Sequence, residues 1–162
     1  MKLKLISGAQ TGADRAGLDF AIANNLPHGG WCPAGRRAED GCIPDKYQLQ
    51  ETESSDYKER TEKNVLEAHA TVIFNMGHKM SPGSGLTARL CHKYHKPYVV
   101  LYMMSATDDA KAIKDMIFGE FPGLNNMPEF IMNVAGNRES TTPGVHDYVM
   151  RVLHQVIGDN HA

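Results

Sequence analysis

Ile6-Ser7-Gly8-Ala9-Gln10-Thr11-Gly12-Ala13-Asp14-Arg15 joins two different hydrophobic patterns. Before it, Leu3-Lys4-Leu5-Ile6 is a short apolar run; behind it, Ala16, Leu18, Ala21 and Ile22 recur at helical spacing. The reading is a strand, a glycine-rich turn and a helix. In such a unit the first N–H groups of the helix lack partners, and the positive end of its dipole stands behind them. That place suits an anion, typically a phosphate. The glycine spacing (Gly8, Gly12, Gly17) is not the dinucleotide fingerprint, and no Gly-Lys-Ser/Thr follows as in a Walker A loop. Thr11-x-x-Asp14 also fits a capping box, in which the same residues merely finish the helix. Taken alone, the stretch leaves both readings open.

Outward from it, strand and helix patterns alternate. The first helix should stop at Asn24-Asn25, with Pro27 beyond. His28 to Cys32 is poor in strand formers, yet it falls where a second strand is needed. From Ala34 to about Thr52 the chain is rich in charge, glycine and proline, and loops of this length are usually functional. Ser54, Ser55 and Asp56 open a second helix, expected to run to about His69 with Tyr57, Val65 and Ala68 on its apolar stripe. Ala70 to Met76 is an uninterrupted, β-branched strand. A second Gly/Ser turn, 77–85, leads into a helix with Leu86, Leu90, Cys91 and Tyr94 on one face. Pro97–Met103 reads as a strand, Asp108 to about Phe118 as a helix, Phe130–Ala135 as the last strand and Val145–Ile157 as the closing helix. This alternation predicts an α/β fold: a parallel sheet with helices on both faces and right-handed crossovers.

Composition narrows the function. With 162 residues, one domain spanning 1–162 is expected. A formal net charge of −2 and 22% charged residues give no reason to propose nucleic acid or a membrane as partner. Cys32, Cys42 and Cys91 contain no Cys-x-x-Cys pair and are odd in number, which favours a reducing cytoplasm over a disulfide framework. The first apolar run is too short for a signal peptide.

In open α/β sheets, ligands bind beyond the carboxyl ends of the strands. The loops at those ends hold Gly8, Gln10, Thr11, Gly12, Asp14 and Arg15; then Arg36 and Arg37; then Gly83, Ser84 and Thr87; and finally Arg138, Glu139 and Ser140. Four arginines would converge on two helix N-termini, as recognition of phosphate or carboxylate requires. Each arginine also has an acid nearby in sequence (Asp14, Glu39, Asp40, Glu139), so mutual ion pairs are the alternative. His92 and His95 could share a metal, but no third ligand is indicated and the neighbouring lysines mark a solvated face. Trp31 could stack on a flat ligand or simply pack.

Gly8-Ala-Gln-Thr-Gly-Ala-Asp-Arg15-Ala-Gly-Leu-Asp19, Gly29 to Gly41, Arg60-Thr61 with Asn64-Val65, Pro82-Gly-Ser-Gly-Leu-Thr87 and Met132-Asn-Val-Ala-Gly-Asn-Arg-Glu-Ser140 together resemble the "putative molybdenum carrier" family. The resemblance covers Ile6 to about Gly144. Ala9 stands where that family usually has glycine, and Asn137 where it usually has proline. It implies a Rossmann-like fold in the wider lysine-decarboxylase-like, "lonely guy" group. Those phosphoribohydrolases use Pro-Gly-Gly-x-Gly-Thr-x-x-Glu; here Pro82–Thr87 matches, but Leu90 occupies the glutamate's place and can transfer no proton.

The expectation is therefore a carrier for an anionic, phosphate-bearing small molecule, with the resemblance implying the molybdenum cofactor (molybdopterin) or a nucleotide-like relative. The fourteen loop residues named above would hold it. No protein ligand for molybdenum is expected, because the cofactor carries its own. The alternatives are a hydrolase acting on a nucleotide derivative, with Glu39, Asp40 or Glu139 replacing the absent glutamate, and a ligand-sensing domain. A cytoplasmic homo-oligomer, dimer or tetramer, and molybdoenzymes as recipients are implied by the resemblance alone.

Overall fold

A computed structural model of the chain describes residues 2–121 and 123–158. Five parallel strands form the central sheet in the order β2-β1-β9-β7-β8: β1 (Lys2–Ile6), β2 (His28–Gly29), β7 (Ala70–Phe74), β8 (Tyr98–Leu101) and β9 (Glu129–Gly136). The last strand lies in the middle. Chain winding runs outward from β1 to one edge and from β7 to the other, and β9 returns between them. All of β7 is buried, as its apolar run demands.

Helices α1 (Ala13–Ala23), α4 (Ala106–Asp115) and α5 (Val145–Ile157) share one apolar core with the sheet, built on Phe20, Phe74, Phe130, Ile113 and Leu153. Each fully buried phenylalanine contributes about 1.5–3 kcal/mol of transfer free energy. Helices α2 (Tyr57–Glu67) and α3 (Pro82–Lys93) meet through Val65, Leu90 and Cys91. Leu90 is thus a packing residue. Two anticipated boundaries hold locally: Asn24 caps α1, with Asn25 beyond it at φ 53°, and Asp56 caps α2 through the N–H of Lys58. Helix α3 starts earlier than the expected turn over 77–85 allows, because Ser81 caps it through the N–H of Ser84 and Pro82 fits its first position. Beyond α4 the helix widens into a π turn, Met116–Glu120, and a short 3-10 helix follows at Leu124–Asn126.

The expected second strand is broken in two. Gly30, at φ +117°, turns the chain away from the sheet, and a side chain there would meet the Ser7 carbonyl. Only β2 joins β1; β3 (Trp31–Cys32) pairs with β6 (Gln50–Glu51) instead. The charged segment between them folds back as a hairpin of β4 (Arg37–Ala38) and β5 (Gly41–Cys42) over a small core of Ala9, Leu18, Cys32, Ile43 and Tyr47. All three cysteines are free thiols. Among the described residues no helix is long and apolar enough to cross a membrane.

Candidate functional site

Beyond the carboxyl ends of β1, β9 and β7, where the winding reverses, an open cavity of about 110 Å³ is lined by Gly8, Gln10 and Asp14 on one side and Gly83, Leu86 and Thr87 on another. Asn133, Ala135 and Gly136 form its base, Arg138 stands at the end of β9, and α2 supplies Tyr57, Arg60, Thr61 and Asn64. The volume is below the ~300–1,000 Å³ typical of pockets for whole drug-sized ligands. It suits a head group, with the remainder of a ligand outside the mouth.

Arg60 dominates the electrostatics. It is 7% exposed, its Nη1 donates to the Gly8 carbonyl at 2.6 Å and its Nε to the Thr61 hydroxyl at 3.3 Å. Among the described residues it has no ion pair. Burial pushes its pKa down from the ordinary arginine value, against the pull of Asp14. A desolvated guanidinium without a carboxylate partner is costly, and an anion beside it relieves that cost. The Tyr57 ring stacks against this cation at 4.9 Å, with Arg37 at 4.8 Å and Arg138 at 5.2 Å from the same ring centroid.

Two further groups face the same problem. Asp14, 8% exposed, is the one carboxylate lining the cavity among the described residues, and burial pushes its pKa up to about 6 although Arg60, Arg138 and Arg15 pull it down. Gln10 turns its Oε1 to the N–H groups of Thr11 (3.1 Å) and Glu39 (2.9 Å), which leaves its Nε2 buried without an acceptor. Buried polar atoms of this kind are normally satisfied.

The two helix ends differ. At α1 the N-cap is Gly12, and neither Thr11 nor Asp14 forms a capping box; Asp14 accepts from the Gln10 N–H at 3.3 Å. The Ala13 N–H donates to Asn137 O at 3.1 Å, and a Cβ on Gly12 (φ +83°) would stand 2.4 Å from that oxygen. The chain's own loop therefore covers the place where the glycine pattern points to a phosphate. At α3, Pro82 has no N–H, Ser81 and Ser84 pair with each other, and Gly83 lies on the cavity wall with open space where a side chain would be. The Ser84 hydroxyl is buried without a partner and does not line the cavity; the Thr87 hydroxyl donates to Gly83 O at 3.0 Å.

The four arginines do not all converge. Arg15 is turned to the Ala9 carbonyl and Asp40, which holds its pKa above and that of Asp40 below their ordinary values. Arg36 donates to the carbonyls of Ile43, Pro44 and Tyr47 at 2.8–3.1 Å, a staple for its own loop. Arg37 sits exposed over Tyr57; only Arg138 lines the cavity. The hairpin tip instead latches over the site. Glu39 accepts from the hydroxyls of Thr11 and Ser140, the latter at 2.6 Å, and lies 3.9 Å from Arg138. Burial raises its pKa, but the Ser140 and Thr11 bonds outweigh this and hold it low. Glu139 caps α5, accepting from the N–H of Gly144 (2.6 Å) and His146 (3.1 Å). None of Glu39, Asp40 and Glu139 lines the cavity.

The polar lining residues that the sequence pattern left out of the site are Tyr57, Arg60, Thr61, Asn64 and Asn133. Asn64 shows why Arg60-Thr61…Asn64 forms a unit: its amide exchanges two 2.9 Å bonds with the Trp31 backbone, docking α2 on β3. Asn133, a buried amide in the middle of the apolar run 130–135, was a visible signal. His95 lies beyond the end of α3 at φ 53°, and among the described residues no group of three metal-ligating side chains occurs.

A Rossmann-like parallel sheet with a cationic cavity at its carboxyl edge defines a broad class of small-molecule-binding α/β proteins. Residues 5–157 match the circularly permutated YpsA SLOG family, and the chain belongs to it. It is similar to a solved structure described as a "Putative molybdenum carrier protein" from Syntrophus aciditrophicus SB, with 40% sequence identity and a TM-score of 0.85 over 95% of this chain and 94% of that one. Among curated proteins none matches the chain.

Proposed function

We propose that the protein binds and carries an anionic small molecule whose phosphate or related oxyanion enters the cavity, with the molybdenum cofactor as its cargo. The observation that carries this reading is Arg60: a buried cation with no ion partner among the described residues, set beside Arg138 and opposite the α3 end. The unpartnered Nε2 of Gln10 adds a donor of the same polarity. Gly83, in the first turn of α3, and Thr87 complete the pocket for the head group, while Tyr57 and the hairpin border the mouth through which the rest of the molecule extends. Likeness to the Syntrophus protein, described as a molybdenum carrier, supports a molybdenum-bearing cargo over a plain nucleotide. Cytoplasmic delivery to molybdoenzymes by a homo-oligomer belongs to the same proposal.

Thermal shift over inorganic phosphate, molybdate, nucleoside monophosphates and molybdopterin tests it. A ligand at ~100 times its Kd adds about 2.7 kcal/mol to stability. Molybdopterin is expected to give the largest shift, and Arg60→Met to abolish it. No shift with any of the four, or an unchanged shift in Arg60→Met, overturns the reading.

A further inference from the structure

The cavity that Arg60 and Arg138 make attractive to an anion also contains a carboxylate, and an anion entering must lie close to it. Asp14 comes from the first turn of α1, Arg60 faces it from α2, Arg138 from the loop after β9, and Arg15 from its own helix. No cation reaches Asp14 within ion-pair distance among the described residues; its one short contact from the backbone is the Gln10 N–H at 3.3 Å. Two negative groups sharing so small a space raise each other's pKa, which favours one proton held between them, as in paired carboxylates. We propose that Asp14 and the bound oxyanion hold a single proton between them, so that the cavity selects an oxyanion that brings a proton or takes one up on binding.

This rests on the anion-binding reading above and names the chemistry of its ligand. Inorganic phosphate carries a proton throughout the neutral range and can donate to the ionised Asp14 carboxylate. A phosphate monoester has its second pKa near 6, close to the value of about 6 to which burial raises Asp14, so the proton is shared between matched groups. Sulfate and molybdate carry no proton at neutral pH. They enter only when Asp14 is itself protonated, and that becomes tenfold rarer with each pH unit above its pKa. The same carboxyl thus makes a carrier site prefer phosphate head groups to free molybdate.

Isothermal titration of the full chain with sulfate and with inorganic phosphate between about pH 7.5 and 9, where phosphate is mostly the singly protonated dianion, tests the proposal. The sulfate Kd should rise about tenfold per pH unit, while the phosphate Kd changes by less than about threefold over the range. In Asp14→Asn, whose amide can donate to sulfate or accept from phosphate, both should become independent of pH and agree within about threefold. A pH-independent sulfate Kd in the wild-type protein overturns the shared proton while leaving the anion site standing. So does a sulfate dependence that survives in Asp14→Asn. Failure of both anions to bind wild type overturns this proposal and the anion site together.

Discussion

The carbonyl oxygen of Asn137 accepts the N–H of Ala13 at 3.1 Å, so the loop after β9 is seated on the first turn of α1. The same residue donates its own N–H to Phe74 O at 2.8 Å, and its Oδ1 accepts from the Met76 N–H at 2.7 Å. One residue, through its backbone and its side-chain amide, thereby fixes the loops of three neighbouring strands around the cavity. A proline at 137 would lack the N–H that reaches Phe74 O, so the junction needs a residue other than proline there.

Gly12→Ala breaks that seating. A methyl group would stand 2.4 Å from Asn137 O and 2.7 Å from Glu139 N, on a residue at φ +83°. Denaturant unfolding should show a loss of about 2–4 kcal/mol. A loss below ~1 kcal/mol contradicts the close packing described.

Arg36→Ala separates a loop staple from a ligand contact. Removing three bonds to backbone carbonyls should lower unfolding free energy by about 1–3 kcal/mol, while the phosphate Kd stays within about twofold. A variant that is fully stable yet blind to phosphate would place Arg36 in the site after all.

How much of this was readable beforehand divides along physical lines. Long-period patterns carried well: the buried run of β7, the αL stop at Asn25 and the span of α5 follow from local rules, and they suffice for a parallel α/β sheet. The lining of the candidate cavity was half readable. Gly8, Gln10, Asp14, Gly83, Thr87 and Arg138 meet at one cavity because strand ends must meet there. Arg15 and Arg36 were indistinguishable from them by type and spacing, since nothing local says that Asp40 and three loop carbonyls will claim their donors. Arg60 sits in mid-helix, where an arginine ordinarily faces solvent; only the docking of α2 by Asn64 turns it inward.

Stability should depend on pH through Asp14. Its carboxyl lies at about 6 in the folded chain against an ordinary 3.8, so between these values the folded state binds more protons than the unfolded one. The penalty of the ionised form is fully present above pH 6 and gone below 3.8. Lowering the pH through that window therefore adds stability from this group. Asp14→Asn should gain up to about 3 kcal/mol over wild type at pH 7.5 and nothing near pH 4, measured by urea unfolding. A difference independent of pH would contradict this.

Opening of the hairpin can be followed directly. Glu39→Ala removes the acceptor shared by Thr11 and Ser140. These bonds are exposed, so global stability should change by less than about 1 kcal/mol. Amide exchange in residues 36–42 should nevertheless accelerate by about fivefold or more. Unchanged exchange would mean the tip is held elsewhere.

A crystal structure with saturating inorganic phosphate bears most directly on whether the cavity is an anion site. One phosphate is expected beside the Arg60 guanidinium, at about 2.7–2.9 Å, in reach of the Gly83 amide and of Asp14. An empty cavity at saturation, or phosphate bound only along Arg15 and Arg36, would contradict it.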